Sequence, residues 1–289
     1  GRFVPGAGVT DPFFAIPIVP GRVELTFSPQ TVCALVLVWG MAFVHLRGVG
    51  PGRIVGNILA TLKVSALAVF VAIGFSFGAG EGSNIVQTGP VPPASWLLAL
   101  IPVMFAYSGW NAASYIAEEI KDPGRNIPKA FALGTGAVIA LYLLLNMLYL
   151  YVFPVERLAA VKGSVLDAVA DGLLGPAAGD VMAIVALISL SASVSAMTFA
   201  GPRVYFAMAR DGYFFRSAAV VHPRYRTPAV SILGQAAWTS VLVLAAAGDT
   251  LVNYTGFAIT VFLGLPVAAV FVLRAWEPNN ERAYRTWGY

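Results

Sequence analysis

Long apolar stretches alternate with short connectors rich in proline and arginine along the 289 residues of the chain. Seven stretches are long enough to cross a bilayer core roughly 30 Å thick, which takes about 20 apolar residues in a helix. They run over 30–46, 53–78, 96–120, 130–153, 178–203, 229–247 and 251–273. Barrel strands would instead show segments of about ten residues with alternating polarity. The pattern therefore predicts an all-α polytopic membrane protein. Residues 1–29 carry Pro5, Pro12, Pro17, Pro20 and Pro29 and read as an irregular extracytoplasmic loop. Residues 274–289 read as a cytoplasmic tail or loop.

Basic residues orient these spans. One set of connectors holds Arg47, Arg53, Lys121, Arg125, Lys129 and the arginines at 203, 210, 216, 224 and 226, and the tail adds Arg274, Arg282 and Arg285. The opposite set holds only Arg2, Arg22, Arg157 and Lys162. Lys and Arg gather on the cytoplasmic side, so residue 1 is expected outside and the C-terminal end in the cytoplasm. The same rule accounts for the cluster from Arg203 to Arg226, although a lipid or gating site is a second reading of it.

Composition agrees with a membrane setting. Hydrophobic residues make up 58% and charged residues 11%, with a mean hydropathy of +0.77, whereas soluble domains carry about 25% charged residues. Cys33 has no partner in the chain, which excludes an intrachain disulfide and a cysteine metal cluster. His45 and His222 are far apart, and no zinc-protease, phosphate-loop or nucleophile-elbow motif occurs. No cofactor, metal or nucleic acid is predicted; the expected partners are the lipid bilayer and a small-molecule substrate. Arginine outnumbers lysine 14 to 4, which points by association to a GC-rich bacterial source and hence an inner membrane. Gly1 is not an initiator methionine, and the chain reads as a fragment.

Candidate chemistry begins with "FAYSGWNAASYIAEE", 105–119. Ser108 lies 12 residues inside the span counted from Trp96, about 18 Å deep and near the bilayer midplane. Irregular backbone at that depth has to be buried in protein or line a wet cavity. A break there would present the carbonyl end of one half-helix (Phe105, Ala106, Tyr107) to an ammonium group. The amide end of the next (Trp110, Asn111) would face an anion. A simple kink or a small-residue packing face is the alternative.

Lys63 lies 11 residues past Gly52, about 16 Å from its helix end, too deep for its stem to reach the interface. A lysine at that depth costs about 2.5–3.5 kcal/mol unless protein or water satisfies it. Hydroxyls of Ser189, Ser191, Ser193 and Ser195 are the candidate partners. Its role is either to brace the bundle or to serve an ion or gating site. Glu118 and Glu119 resemble a catalytic pair, but they lie 10 and 11 residues beyond Ser108, about 15 Å further on, at the cytoplasmic boundary. Partnership with Lys121, Arg125 or another connector arginine is the first reading, and proton transfer or gating the second.

These residues resemble a known family. "FAYSGWNAASYIAEEIKDPGRNIPKA" (105–130) is similar to the sixth helix and following loop of amino acid permeases of the amino acid–polyamine–organocation superfamily, L-type-like branch. "LKVSALAVF" (62–70) resembles their fifth helix. "GPRVYFAMARDGYF" and "HPRYRTPAV" (201–214, 222–230) resemble the end of the eighth helix and its loop, and "YTGFAITVFLGLPVAAVFVLR" (254–274) the tenth. The resemblance implies a partial LeuT-type inverted repeat of five plus five helices, with helices four to ten present. It implies a secondary transporter of amino acids or polyamines working by alternating access, as exchanger or uniporter, without sodium. The unwound stretch would be Ala106 to Trp110, with Phe105 as aromatic gate and Ser108, Gly109 and Asn111 facing substrate. Lys63 would occupy a sodium-site position, with Ser191 and Ser195 at the same ion or gating site. Ser108 stands where the family often has glycine, and Asn111 where some proton-coupled relatives have glutamate. The glycine-rich break of helix one is not in this chain. A partner subunit is left open.

A seven-helix receptor, with Lys63 as a chromophore lysine, fits the out-to-in topology as a rival. A membrane enzyme using Glu118 and Glu119 is a more distant one.

Overall fold

The computed structural model of the chain describes residues 6, 9–19, 23–78, 80–86, 93–245 and 248–280. Arg2, Arg22, Arg282 and Arg285, used above for orientation, lie outside them. Ten helices and one hairpin make up the described fold. They are β1 (Phe14–Val19), β2 (Val23–Phe27), α1 (Pro29–Leu46), α2 (Val49–Phe77), α3 (Pro93–Ala106), α4 (Ala112–Tyr115) and α5 (Pro123–Val152). Then follow α6 (Val155–Ala159), α7 (Val165–Leu174), α8 (Pro176–Arg210), α9 (Ala229–Ala245) and α10 (Gly248–Trp276).

Five helices are long and apolar enough to cross a membrane: α1, α2, α5, α8 and the Thr255–Trp276 part of α10. The expected span over 229–247 is the 17-residue α9. The one over 96–120 is divided into α3, an irregular turn, α4 and a 3-10 turn at Ala117–Glu119. Most side chains on these helices face outward, as a bilayer-embedded bundle requires.

The proline-rich start is a correction. Rather than an irregular loop throughout, it contains an antiparallel ladder pairing Phe14 with Phe27, Ile16 with Leu25 and Pro17 with Glu24. The register shifts between Pro17 and Val19, and a bulge is where a strand tolerates a proline that cannot donate to the ladder. Prolines were read as breaking the segment, whereas the apolar alternation around them forms strands. The Thr26 hydroxyl donates to the Leu244 carbonyl at 3.1 Å, seating the hairpin on the end of α9. Ser28 then caps α1 through a reciprocal capping box with Thr31.

Two cores hold the bundle. Phe70 and Val71 of α2, Leu145 and Leu148 of α5, Val169, Ala170 and Leu173 of α7, and Met182 and Val185 of α8 form the larger. A side chain at Gly74 would come within 2.8 Å of Leu148 and Leu173, so glycine lets α2 close onto both neighbours. Helix α7 lies in a connector with no span predicted, yet its apolar face is wedged among the spans. The smaller core joins Ala42 of α1 to Ile232 and Ala236 of α9, beside a hydrogen bond from the Trp39 indole to the Ser240 hydroxyl at 3.0 Å.

Candidate functional site

Helix α3 runs 14 residues, about 21 Å, and stops at Ala106. The next five residues are turns, and Gly109 takes φ +96°, a region closed to most residues with a Cβ. That geometry is why a helix-weakening Ser-Gly pair stands there. A Cβ placed on Gly109 would meet Met197 Cε of α8 at an ordinary 3.7 Å, which sets the break beside α8. The Ser108 N–H donates to the Phe105 carbonyl and the Ala112 N–H to that of Gly109, both at 3.0 Å. Among the described residues no donor reaches the carbonyls of Tyr107 and Ser108, and no acceptor the N–H groups of Gly109, Trp110 and Asn111.

Helix α5 forms a wall against this break. Tyr142 sends its hydroxyl to the Ala106 carbonyl at 3.3 Å and meets the Tyr107 ring edge-on, 5.4 Å between centroids. Trp110 meets Phe131 edge-on at 6.0 Å. The Asn111 side-chain amide donates to the Tyr115 hydroxyl, so that side chain is engaged within its own segment while its backbone N–H stays free among the described residues. Phe105 is 44% exposed, within the range of the outward-facing aromatics on the other helices, such as Phe43 and Phe75.

One expectation is corrected here. Two half-helices with opposite dipole ends were expected, but the second is the four-residue α4 followed by a 3-10 turn. Four residues do not sum to a macrodipole, so the break has a carbonyl end from α3 and no matching amide end. The amide donors of Gly109 to Asn111 are individual turn groups.

Lys63 lies half-buried on α2. Glycine 56 of α2 approaches Ser195 of α8, and Phe70 shares the main core with Val185. The two helices therefore run antiparallel, and Lys63 is level with the Ser189–Ser193 part of α8. The expected hydroxyl partners are engaged elsewhere. Ser191 donates to the Leu187 carbonyl at 2.8 Å and Ser193 to that of Ser189 at 3.1 Å. Ser195 meets His45 Nε2 at 2.9 Å.

His45 is a residue that the sequence reading passed over. It is buried at the end of α1, with its ring against Gly52, where a Cβ would fall 2.4 Å from Nδ1. The Phe199 ring lies tilted against it, 5.6 Å between centroids, and the Arg203 guanidinium sits 3.7 Å from the centre of the Phe199 ring. Arg203 also donates to the Phe199 carbonyl. The available signal was a glycine seven residues after a histidine, across a helix turn, which permits close approach.

Glu118 and Glu119 pair with Arg210 and Arg203, two of the connector arginines expected as partners, which stand on the end of α8; Lys121 and Arg125 are not used. Arg203 binds Glu119 with both carboxylate oxygens engaged, at 2.6 and 3.2 Å. Arg210 binds Glu118 at 3.0 Å. Spacing explains the match: residues 203 and 210 are seven apart, two turns of one helix face. Beyond the membrane-spanning helices, on the 3-10 turn, the hydrogen bond and charge of Arg210 hold the Glu118 carboxyl below its ordinary range. Two neighbouring carboxylates each neutralised by an arginine are poorly suited to acid–base work. No group of three or more histidine, cysteine or acidic side chains is placed to hold a metal among the described residues.

Comparison with known proteins identifies the setting of this break. A family profile described as amino acid permease matches residues 13–289. The chain is 30% identical over 258 residues to the large neutral amino acids transporter small subunit 2 of Mus musculus, covering 87% of this chain and 48% of that protein. It is 25% identical over 288 residues to the serine/threonine exchanger SteT of Bacillus subtilis (strain 168), covering 90% of this chain and 65% of the relative. Similarity to the branched-chain amino acid permease BcaP of the same bacterium is 27% over 283 residues, covering 98% and 60%. These relatives are named as transporters and permeases and not as enzymes, and the chain spans about half the length of the mouse protein. With the profile matching from the hairpin to the last residue and several apolar helices long enough to cross a membrane, the chain belongs to the amino acid permeases of the amino acid–polyamine–organocation superfamily, on their L-type-like branch.

Proposed function

We propose that this protein is a secondary transporter that carries neutral amino acids across the membrane by alternating access, and that the turn from Ala106 to Asn111 forms one wall of its substrate site. The observation that carries this reading is the break itself. Unpaired carbonyls of Tyr107 and Ser108 at the end of a 14-residue helix attract an ammonium group. Gly109 lets backbone approach a ligand without a side chain in the way. Phe105 is the aromatic cover, and Ser108 sets how much room the substrate side chain has. No acidic or basic residue lies between Phe105 and Asn111, which favours an uncharged substrate side chain; the relatives' names, large neutral, serine/threonine and branched-chain, agree.

Lys63 supports sodium independence: a half-buried lysine on α2, level with the serines of α8, takes up space that a bound sodium ion would need. Exchange is the favoured mode because a relative is named an exchanger. Another is named a small subunit, so a larger partner subunit is part of the proposal. The orientation proposed is the one that the basic residues predict, with the Glu118–Arg210 end in the cytoplasm.

The test is uptake of labelled neutral amino acids into proteoliposomes holding the intact protein that carries this sequence, with sodium and with choline in its place. Saturable uptake, equal in both salts and lost in Ser108→Trp at unchanged protein level, is expected. Uptake of no amino acid, or uptake indifferent to Ser108→Trp, refutes the reading.

A further inference from the structure

Below the break, on the arginine-rich side, the chain lines a partly open cavity that the break does not use. It is about 440 Å³, walled by Tyr115, Glu118, Glu119, Arg203, Asp211 and Arg226. Its wall joins the break directly, because the Asn111 amide is bonded to the Tyr115 hydroxyl. Four helical residues separate them, about 6 Å along the chain.

The charges of this cavity are unevenly matched. Arg203 is committed to Glu119 and Glu118 to Arg210, with Asp211 3.8 Å from Arg210. Arg226 has no acid partner among the described residues. Its backbone is also unusual: φ is +52°, one of two non-glycine residues in the left-handed region among the described residues. Arginine gains nothing locally from that conformation, which suits glycine, asparagine or aspartate.

The loop is nonetheless held firmly. The Arg226 N–H donates to the His222 carbonyl at 2.9 Å, and the His222 N–H to that of Thr227 at 2.9 Å. The buried Thr227 hydroxyl donates to the Leu46 carbonyl of α1 at 2.9 Å. A charged residue kept in an unfavourable backbone state at a cavity wall is an observation from which function is inferred.

Resting on the transporter reading, we infer that this cavity is a second, arginine-side site for the zwitterionic head of the amino acid, with Arg226 taking its carboxylate and the acidic wall its ammonium group. A planar guanidinium suits a carboxylate because it binds both oxygens. Glu118, Glu119 and Asp211 keep free lone pairs after meeting their arginines, and these accept from an ammonium group. A simple anion would face three carboxylates against two lining guanidinium groups. A simple cation would leave Arg226 unexplained. The zwitterion answers both, and it is what a substrate leaving the break on this side carries.

The experiment uses amino acid exchange by the intact protein in proteoliposomes sorted to one orientation. KM is measured separately with substrate varied on the arginine-rich face and on the opposite face. Arg226→Asn and Arg226→Gly both suit the left-handed backbone while removing the charge. Each is expected to raise the ratio of the two KM values about fivefold, the scale of one partly exposed charge-assisted contact. In the wild type, the decarboxylated amine of the same substrate should inhibit from the arginine-rich face about fivefold more weakly than the amino acid, and Arg226→Asn should erase that difference. A wild-type KM ratio in both variants with exchange retained, or equal inhibition by amine and amino acid in the wild type, overturns the second site and leaves the transporter reading standing. Absence of any wild-type uptake, by exchange or otherwise, overturns both.

Discussion

The pairing of Glu119 with Arg203 gives the most exacting test of how the segment after the break is held. Arg203 is the buried member, its side chain 10% exposed, and Glu119 is 39% exposed. Two hydrogen bonds join them at 2.6 and 3.2 Å. A buried charge-assisted pair would contribute about 1.5–3 kcal/mol and an exposed one about 0.2–1. With one partner more than a third exposed, solvent screening brings the expected coupling to about 1 kcal/mol.

The single substitutions should be unequal. Glu119→Gln leaves a mostly buried guanidinium with only the Phe199 ring and carbonyl, at about 1–2 kcal/mol. Arg203→Gln loses the carboxylate and the ring stacking together, about 2–3 kcal/mol. The cycle of both singles and the double, read as unfolding of the intact protein in mixed micelles of rising denaturing detergent, isolates the pair term. Repeating it at high salt separates this pair from its neighbour. Glu118 and Arg210 are 75% and 51% exposed, so their coupling should disappear as the Debye length shrinks, while that of Glu119 with Arg203 persists. A coupling within 0.3 kcal/mol of zero for Glu119 and Arg203, or the opposite salt ranking, refutes the assignment of burial to this contact.

Gly52→Ala should destabilise the protein by about 1–3 kcal/mol, because the new methyl meets His45 Nδ1 at 2.4 Å and the helices must part; Gly56→Ala, with only a 3.9 Å contact, should be close to neutral in the same unfolding assay. Ser195→Ala leaves the buried His45 Nε2 without its partner, an expected loss of about 1–3 kcal/mol by detergent unfolding, and a value near zero means that water replaces the hydroxyl. Glu118 offers a pH check: its folded value lies below its unfolded one, so its contribution is complete above the ordinary carboxylate range and lost only as pH falls through the lowered value. The stability difference between wild type and Glu118→Gln should therefore stay flat from about pH 8 to 5, and a difference that changes within that window contradicts the Arg210 contact.

Much of this molecule is legible from one dimension. Apolar length marks the membrane helices, and the interruption at "YSGW" marks the place where α3 ends, because Ser-Gly weakens a helix and only glycine adopts φ +96° cheaply. The local rules failed where partners come from far along the chain. Prolines in the first segment suggested a loop, but strand pairing between Phe14 and Phe27 is decided across the hairpin. Glu118 and Glu119 are met by arginines that lie 84 and 92 residues away, and only the packing of α4 against α8 brings them into reach. Lys63 and the α8 serines share a level but no hydrogen bond among the described residues, where Ser191 and Ser193 donate to their own helix and Ser195 meets His45. For His45 the one local signal is the glycine seven residues on; its burial needs Gly52 and Ser195 to converge on one ring. Periodicity and residue type encode what a segment does with its own backbone and with the bilayer. Which side chains meet is settled by helix register and crossing, and those depend on the shape of every other helix in the bundle.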